Sequence, residues 1–347
     1  MPIWWMIPVL GVFVLSLFLS EVVRRFSLRF SVVDEPKDDG KKMHGRAVPL
    51  LGGTAIFLSF FSVVLFLLFT SDIFTAGEMT RGHIIGFTIG AFVLILGGFL
   101  DDKFDLPARA SIAFPIVAAL IAVIAGIGVS KVTNPFGGFF EISTWISSVI
   151  TFVWLLGMMY TTKLLDGVDG LATGIGSIGA AMIAALALSV AYYQPDVALL
   201  SLMALAAMLG FLVWNTHPAQ IFLGEGGSTL IGYIIGILAV IAGSKFATAL
   251  LVVGVPLLDV VFVVMVRLRR GKPVWKGGDG LHLHRRLASY GYSTGQIVLI
   301  YYVIAILFGL ATLLFVSWQK IIALAVLFCL MLLMLRTLSL PLLKKGE

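Results

Sequence analysis

The chain is poor in charge and nearly devoid of cysteine, and each shortage removes a class of function. Only 12% of its 347 residues are charged while 60% are hydrophobic, with a mean hydropathy of +1.07, against ~25% charged and roughly 45–50% apolar in soluble domains. A soluble globular fold is excluded. The single cysteine, Cys329, lies inside the last apolar run, which leaves neither a disulfide framework nor a thiolate metal site. Also lacking are a Pro/Ser linker, a low-complexity tract and a long soluble insertion. One integral domain covering 1–347 is therefore expected. No inverted repeat of the transporter kind is visible. The first apolar run has Pro2 and Trp4-Trp5 at its start but no basic leader and no small-residue cleavage site, so it reads as a retained span and not as a cleaved signal.

What the chain has in abundance is long apolar runs. A helix needs about 20 apolar residues to cross the hydrocarbon core, and eleven stretches meet that need: 3–23, 50–70, 83–100, 110–130, 146–162, 170–191, 197–214, 227–243, 246–266, 296–317 and 320–340. The fold class expected is an all-α polytopic membrane protein. With the N-terminus outside, the inner breaks and the cytosolic C-terminal tail hold twenty of the twenty-four Lys and Arg, and the outer breaks keep only Arg81, Lys131, Lys245 and Lys320. That asymmetry orients the chain by the positive-inside rule and accounts for the net charge of +6 without a nucleic-acid partner. Two inner segments are larger, 24–49 and 267–294, and the basic run at 267–272 reads as a headgroup anchor. The outer break Asn134-Pro135-Phe136-Gly137-Gly138, followed by a β-prone stretch, predicts a small hairpin.

Nearly every residue able to do chemistry falls in the alternate, inner breaks. Asp101 and Asp102 directly follow the apolar run 93–100; two adjacent negative charges at a membrane edge call for a cation, unless they simply end a solvated helix. Asp166 and Asp169 stand three apart in Asp166-Gly167-Val168-Asp169-Gly170, where helical geometry would put them on one face and glycine lets backbone approach a ligand. The 215–228 segment is glycine-rich and carries Asn215 and Glu225. Its amides suit phosphate, and the glutamate is an oxygen ligand of the kind Mg²⁺ prefers. His282 and His284 alternate behind Asp279, without the third soft ligand of a zinc site. His44 and Arg46 occupy the first inner break. Asp259 lies within the ninth span and His83 at an outer span end. Helix packing competes with function for the first, and a headgroup anchor is the default for the second. Together the oxygen ligands, cations and glycine loops fit a diphosphate bridged by Mg²⁺, with a membrane-borne polyprenyl phosphate as the second substrate.

Read in order, Pro49-Leu50-Leu51-Gly52-Gly53, the 98–106 segment around Asp101-Asp102-Lys103, Leu165-Asp166-Gly167-Val168-Asp169-Gly170-Leu171, the 215–228 segment and Asp279-Gly280-Leu281-His282-Leu283-His284 resemble the polyprenyl-phosphate N-acetylhexosamine-1-phosphate transferases, of the glycosyltransferase family 4 type. The resemblance runs nearly end to end. It implies transfer of a sugar-1-phosphate from a UDP-N-acetylhexosamine to undecaprenyl phosphate, with Mg²⁺ (or Mn²⁺) and release of UMP, in a bacterial plasma membrane. Eleven spans and Asp279-x-x-His282-x-His284 favour the branch that uses UDP-N-acetylglucosamine over the UDP-MurNAc-pentapeptide branch. Carried over, Asp101, Asp102, His282 and His284 are catalytic, with Asp101 the preferred base or phosphate-orienting carboxylate. Glu225, Asp102 and Asp166 would hold the metal. His44, Arg46, Lys103, Lys163, Asp166, Asp169, Asn215, Asp279 and Arg285 would bind substrate. A homodimer is compatible with this reading.

The chain departs from the family pattern at Glu225, where Asp is usual, at Lys163 for Asn, at Ser111 for Lys, at Pro115 for Gln and at Arg285 for His. Lys163 is expected to supply the positive charge that Ser111 no longer provides. Two other readings compete. A transporter of a nucleotide sugar would place its polar residues near the midplane, not at span ends. A CDP-alcohol phosphotransferase would carry Ala-Arg where Thr173-Gly174 stand.

Overall fold

The computed structural model describes residues 3–343 except 36–46, 78, 130, 134–138, 191–192, 244–245, 270, 272–281 and 316. The protein is predominantly helical. Each of the eleven apolar stretches falls on helix: α1 Met6–Arg29, α2 Gly52–Thr70, α3 Arg81–Phe104, the pair α4 Ala108–Ser111 and α5 Ala113–Ile124, α6 Thr144–Leu165, α7 Leu171–Leu188, α8 Pro195–Asn215, α9 Gly224–Ile241, the pair α10 Phe246–Val252 and α11 Gly254–Arg269, α13 Thr294–Leu314 and α14 Ser317–Leu343, with a short α12 at Leu283–Ser289. Among the described residues eight helices are long and apolar enough to cross a membrane, or nine with the α10–α11 pair, as a polytopic membrane protein requires.

The expected uniform spans differ from the structure at two places. The stretch 246–266 is bent by 77° between α10 and α11, where Gly254 and Pro256 follow Val253 and weaken helix continuity. The fourth span is a 17-residue helical region, Ala108–Ile124. The expected hairpin is present: β3 (Lys131–Thr133) and β4 (Phe139–Glu141) pair antiparallel, Lys131 opposite Glu141. A second, unanticipated ribbon pairs β1 (Val33–Asp34) with β2 (Val48–Pro49). His83 is a helix cap: its Nδ1 accepts the Thr80 N–H at 3.3 Å while Thr80 Oγ1 accepts the His83 N–H at 3.2 Å, satisfying first-turn donors of α3.

Lipid is as apolar as the helices, so close packing and interhelical hydrogen bonds hold such a bundle together. The most interior helices are accordingly the glycine-rich ones: the window of α9 is 83% buried and that of α7 78%, against 22% for α1 and 28% for α13. At Gly53 and Gly98 a β-carbon would run into the backbone of Gly227 and Gly226, so α2, α3 and α9 touch main chain to main chain. Polar ties reinforce the packing: Ser16 Oγ to Ala207 O at 2.6 Å and Trp214 Nε1 to Leu17 O at 3.1 Å join α1 to α8, and Trp154 Nε1 to Gly236 O at 3.0 Å joins α6 to α9. Outward faces present Phe66, Phe69 and Leu307.

Because backbone cannot yield as a flexible side chain can, Gly98→Ala should destabilise the protein by about 1–3 kcal/mol, the range for overpacking. Gly11→Ala and Gly157→Ala, where nothing lies within 4 Å of the new carbon, should be neutral or stabilising by up to about 1 kcal/mol. Thermal unfolding of the three variants in detergent checks the contrast.

Candidate active site

The site is built around the start of α9. The segment before α2 runs alongside the segment before α9: Phe222 N–H donates to Pro49 O at 2.8 Å, and Gly52 N–H and Gly53 N–H donate to Phe222 O and Leu223 O at 2.9 Å. Pro49-Leu50-Leu51-Gly52-Gly53 is thus a cradle for this helix start. Gly224 has φ +74°, and a β-carbon there would strike the Asp102 carboxylate and Leu51 N; glycine meets both demands. With that space open, Asp102 Oδ1 and Oδ2 accept the Glu225 N–H at 3.1 and 3.2 Å. A carboxylate at a helix N-terminus is favoured by the orphan amides and the macrodipole.

The adjacent Asp101 accepts the Leu106 N–H at 3.0 Å and the Ser111 hydroxyl at 2.7 Å. Lys163, at the end of α6, reaches across to Glu225, Nζ to Oε2 at 2.5 Å. Asp101, Ser111, Phe114, Pro115, Lys163 and Glu225 line one cleft. Four of the five positions that depart from the family pattern, Ser111, Pro115, Lys163 and Glu225, share this cleft. Lysine is absent at 111 and present at 163 within one cavity.

The loop between α6 and α7 closes the next side. Burial, then the charges of Glu225, Asp102 and Asp169, push the Asp166 carboxyl well above its ordinary pKa, which marks a local excess of negative charge. Gly167 meets the His284 ring: a β-carbon there would lie 3.0 Å from Nε2. Asp169 faces elsewhere, with Oδ2 2.8 Å from His217 Nδ1 and 3.0 Å from the Ala219 N–H. Asn215 is buried and committed to the protein: it accepts the Thr173 hydroxyl at 2.9 Å and donates Nδ2–H to Ile221 O at 3.0 Å. Asp169 and Asn215 therefore pin the loop between α8 and α9. His217 is a member of that clasp that sequence reasoning missed, as is Tyr302, whose hydroxyl donates to Gly170 O at 2.6 Å. His217 at least stands in a polar break beside Asn215; Tyr302, inside an apolar helix, gives no such signal.

His282 and His284 stack, ring centroids 5.6 Å apart and planes 9° from parallel. His282 Nδ1 lies 2.9 Å from Asp259 Oδ2, and the Leu283 N–H donates to Asp259 Oδ1 at 2.8 Å. Arg285 is half-buried; Arg286 is buried with its guanidinium 4.8 Å from the Phe262 ring centroid. Lys103 is exposed, its ammonium 5.8 Å from the Phe99 and Phe104 ring centroids and 6.0 Å from that of Phe30. The structure thus gathers Asp101, Asp102, Lys163, Asp166, Glu225 and the histidine pair, and sets Asp169, Asn215 and Lys103 to their flanks. His44, Arg46 and Asp279 lie outside the described residues.

Such an arrangement can offer the Lys163 ammonium to phosphate oxygens and carboxylates to a divalent cation or a proton. Burial, then His282 and Arg285, lower the His284 pKa from 6.5 to about 4 against the opposing pull of Asp259, so this imidazole is neutral at pH 7. The unfolded chain takes up its proton near 6.5 and the folded one only near 4, so folding stability contributed here is full above 6.5 and falls as pH drops from 6.5 toward 4. His284→Gln should flatten that part of the stability profile, measured as the unfolding midpoint in detergent between pH 7 and 4.5.

Residues 84–243 match the family model described as glycosyl transferase family 4. The chain is 33% identical over 340 residues, 95% of its length and 91% of the relative's, to the probable undecaprenyl-phosphate N-acetylglucosaminyl 1-phosphate transferase of Bacillus subtilis. It is 32% identical over 256 residues, 74% of this chain and 72% of the relative, to the undecaprenyl-phosphate alpha-N-acetylglucosaminyl 1-phosphate transferase of Thermotoga maritima. The phospho-N-acetylmuramoyl-pentapeptide-transferase of Halalkalibacterium halodurans is 29% identical over 323 residues, 88% of this chain and 95% of its own length. With 33% identity sustained across nearly the whole chain, the chain belongs to glycosyl transferase family 4.

Proposed function

We propose that the protein transfers N-acetylglucosamine-1-phosphate from its UDP-sugar to undecaprenyl phosphate, releasing UMP and starting a lipid-linked cell-envelope glycan. The observation that carries this reading is the meeting of Asp101, Ser111, Lys163 and Glu225 in one cleft, in a chain 33% identical to a probable enzyme bearing that name. In the reaction an oxygen of the lipid phosphate bonds to the sugar-bearing phosphorus, the bridging P–O bond to UMP breaks, and UMP leaves with the electron pair. Asp101 orients the attacking phosphate or takes its proton. Lys163 offsets charge developing on the phosphates. His282 and His284 contact the diphosphate, with Arg285 next to His284, and His44, Arg46, Lys103 and Asp279 are assigned to substrate binding.

Mg²⁺, or Mn²⁺ in its place, fits the donors. Asp102, Asp166 and Glu225 offer hard oxygens, and burial with the neighbouring carboxylates raises the Asp166 pKa. Among the described residues no three His, Cys, Asp or Glu side chains group closely enough to hold a metal ion, so the ion would be held by one or two of these carboxylates together with waters and substrate phosphates. When bound, the ion polarises phosphoryl oxygens and offsets charge on the leaving phosphate. The reading takes the chain as a single domain of eleven spans, N-terminus outside and C-terminus cytosolic, in a bacterial plasma membrane with the site on the cytosolic face, where nucleotide sugars are. The count of Lys and Arg supports that orientation. A homodimer is consistent with it.

A second donor has specific support, since the Halalkalibacterium relative of the pentapeptide branch aligns over 95% of its length. Purified protein given undecaprenyl phosphate, Mg²⁺ and a panel of UDP-N-acetylhexosamines with UDP-MurNAc-pentapeptide should form lipid product and UMP with UDP-N-acetylglucosamine. EDTA should abolish the product and added Mg²⁺ restore it. No product from any donor removes the transferase reading and leaves a transporter. In the same assay Lys163→Asn should lower turnover on the order of 10²-fold, the loss seen when one charge-stabilising donor is removed, and adding Ser111→Lys should recover part of it. Unchanged turnover in Lys163→Asn would refute the relocated charge.

A further inference from the structure

Asp259 has no part in the chemistry described so far, yet it is the carboxylate tied most closely to the histidine pair. It lies in α11, 4% exposed, in a segment where an ionisable group is costly without a partner. Both of its oxygens go to the segment that carries His282: Oδ2 lies 2.9 Å from the His282 ring nitrogen Nδ1, and Oδ1 accepts the Leu283 N–H at 2.8 Å. A carboxylate accepts and does not donate, so Nδ1 of His282 carries a proton. Nε2 is then the ring atom left for a ligand, as an acceptor when the imidazole is neutral and as a donor when it is charged.

The second bond makes the grip rotationally definite. Leu283 opens α12, so Asp259 holds both the ring and the backbone next to it, and the plane of His282 follows. That plane is shared by His284, 9° from parallel, whose own ring abuts Gly167 of the Asp166 loop. Asp259 from α11 and His284 from α12 face His282, while Arg285 of α12 and the Tyr301 hydroxyl of α13, which bonds the His284 backbone, lie beside His284. Asp259 is the acidic member of that set.

We infer that Asp259 is a positioning residue, which sets the tautomer and orientation of His282 so that Nε2 meets the diphosphate of the donor. The inference rests on the transferase reading above. Asp259→Asn is close to isosteric: its oxygen still accepts from Leu283 while its amide donates toward Nδ1, moving the ring proton to Nε2. In the full-length protein, Asp259→Asn should lower kcat for lipid-product formation by ~10–100-fold, the usual effect of losing a carboxylate behind a working histidine. KM for the UDP-sugar should stay within about twofold and the thermal midpoint should be retained. On a His282→Gln background the same change should add nothing, because the group it positions is gone. Asp259→Glu, which keeps the carboxylate, should recover part of kcat, and it serves as the test variant should Asp259→Asn lose its fold.

Wild-type kcat in Asp259→Asn would overturn the inference, as would full multiplicative loss in the double variant. If Asp259→Asn does not fold, an Asp259→Glu change that lowers kcat equally with and without His282 overturns it instead. Absence of product from the wild-type protein with every donor would overturn the transferase reading, and this inference with it. A normal wild type beside an unaffected Asp259→Asn overturns the inference alone.

Discussion

The polar end of this molecule depends on α9 lying directly against α2 and α3 with no side chains between them. Gly53 faces Gly227 and Gly98 faces Gly226, and that contact decides how far Asp102 stands from the first amides of α9. A methyl group between α3 and α9 would separate the carboxylate from the Glu225 N–H it now accepts at 3.1 Å. In a bilayer, where hydrophobic burial gives helices little reason to associate, small residues and backbone complementarity set positions to within an ångström. The glycines are therefore part of the active-site geometry although none contributes a functional atom.

Two clasps then hold the loops that line the site. Asp169 and Asn215 fasten the loop before α9 to α7 and its entry, through His217, Ala219, Thr173 and Ile221. Asp259 fastens the start of α12 to α11. Both use buried or half-buried polar groups whose partners lie far off in sequence, and such bonds are most valuable where water is excluded. The remaining carboxylates stand around the start of α9: Asp101 bonds the Leu106 N–H and the Ser111 hydroxyl, Asp102 bonds the Glu225 N–H, and Glu225 pairs with Lys163.

Most of the architecture was legible in the chain. Apolar length and the placement of breaks located every helix pair that brackets the site, because hydropathy reports directly on the solvent a segment occupies. The 77° bend between α10 and α11 was hidden, since Gly254 and Pro256 sit inside an unbroken apolar stretch. Of the site, the acids and histidines were legible as residue types, because charge at a membrane edge has few innocent explanations. Their division of labour was not. Asn215 and Asp169 read as ligand-facing, and the structure adds hydrogen bonds that tie them within the protein; Asp259 read as equally open to packing and to function, and it reaches His282. These assignments depend on contacts between residues 23 to 50 positions apart, which no local pattern records. Lys163 and Ser111, 52 residues apart in number, were linked in the sequence only by their departure from a family pattern; the cleft they share gives that link a physical form.

The ion pair between Lys163 and Glu225 means that the cleft contains its own counter-ion. A cation approaching Glu225 would have to displace an ammonium, and an anion approaching Lys163 would have to displace a carboxylate. A ligand that brought both charges at once would meet each partner as it released the other. The pair would act as a conjunction written in charge, favouring a ligand that carries both signs over one that carries a single sign.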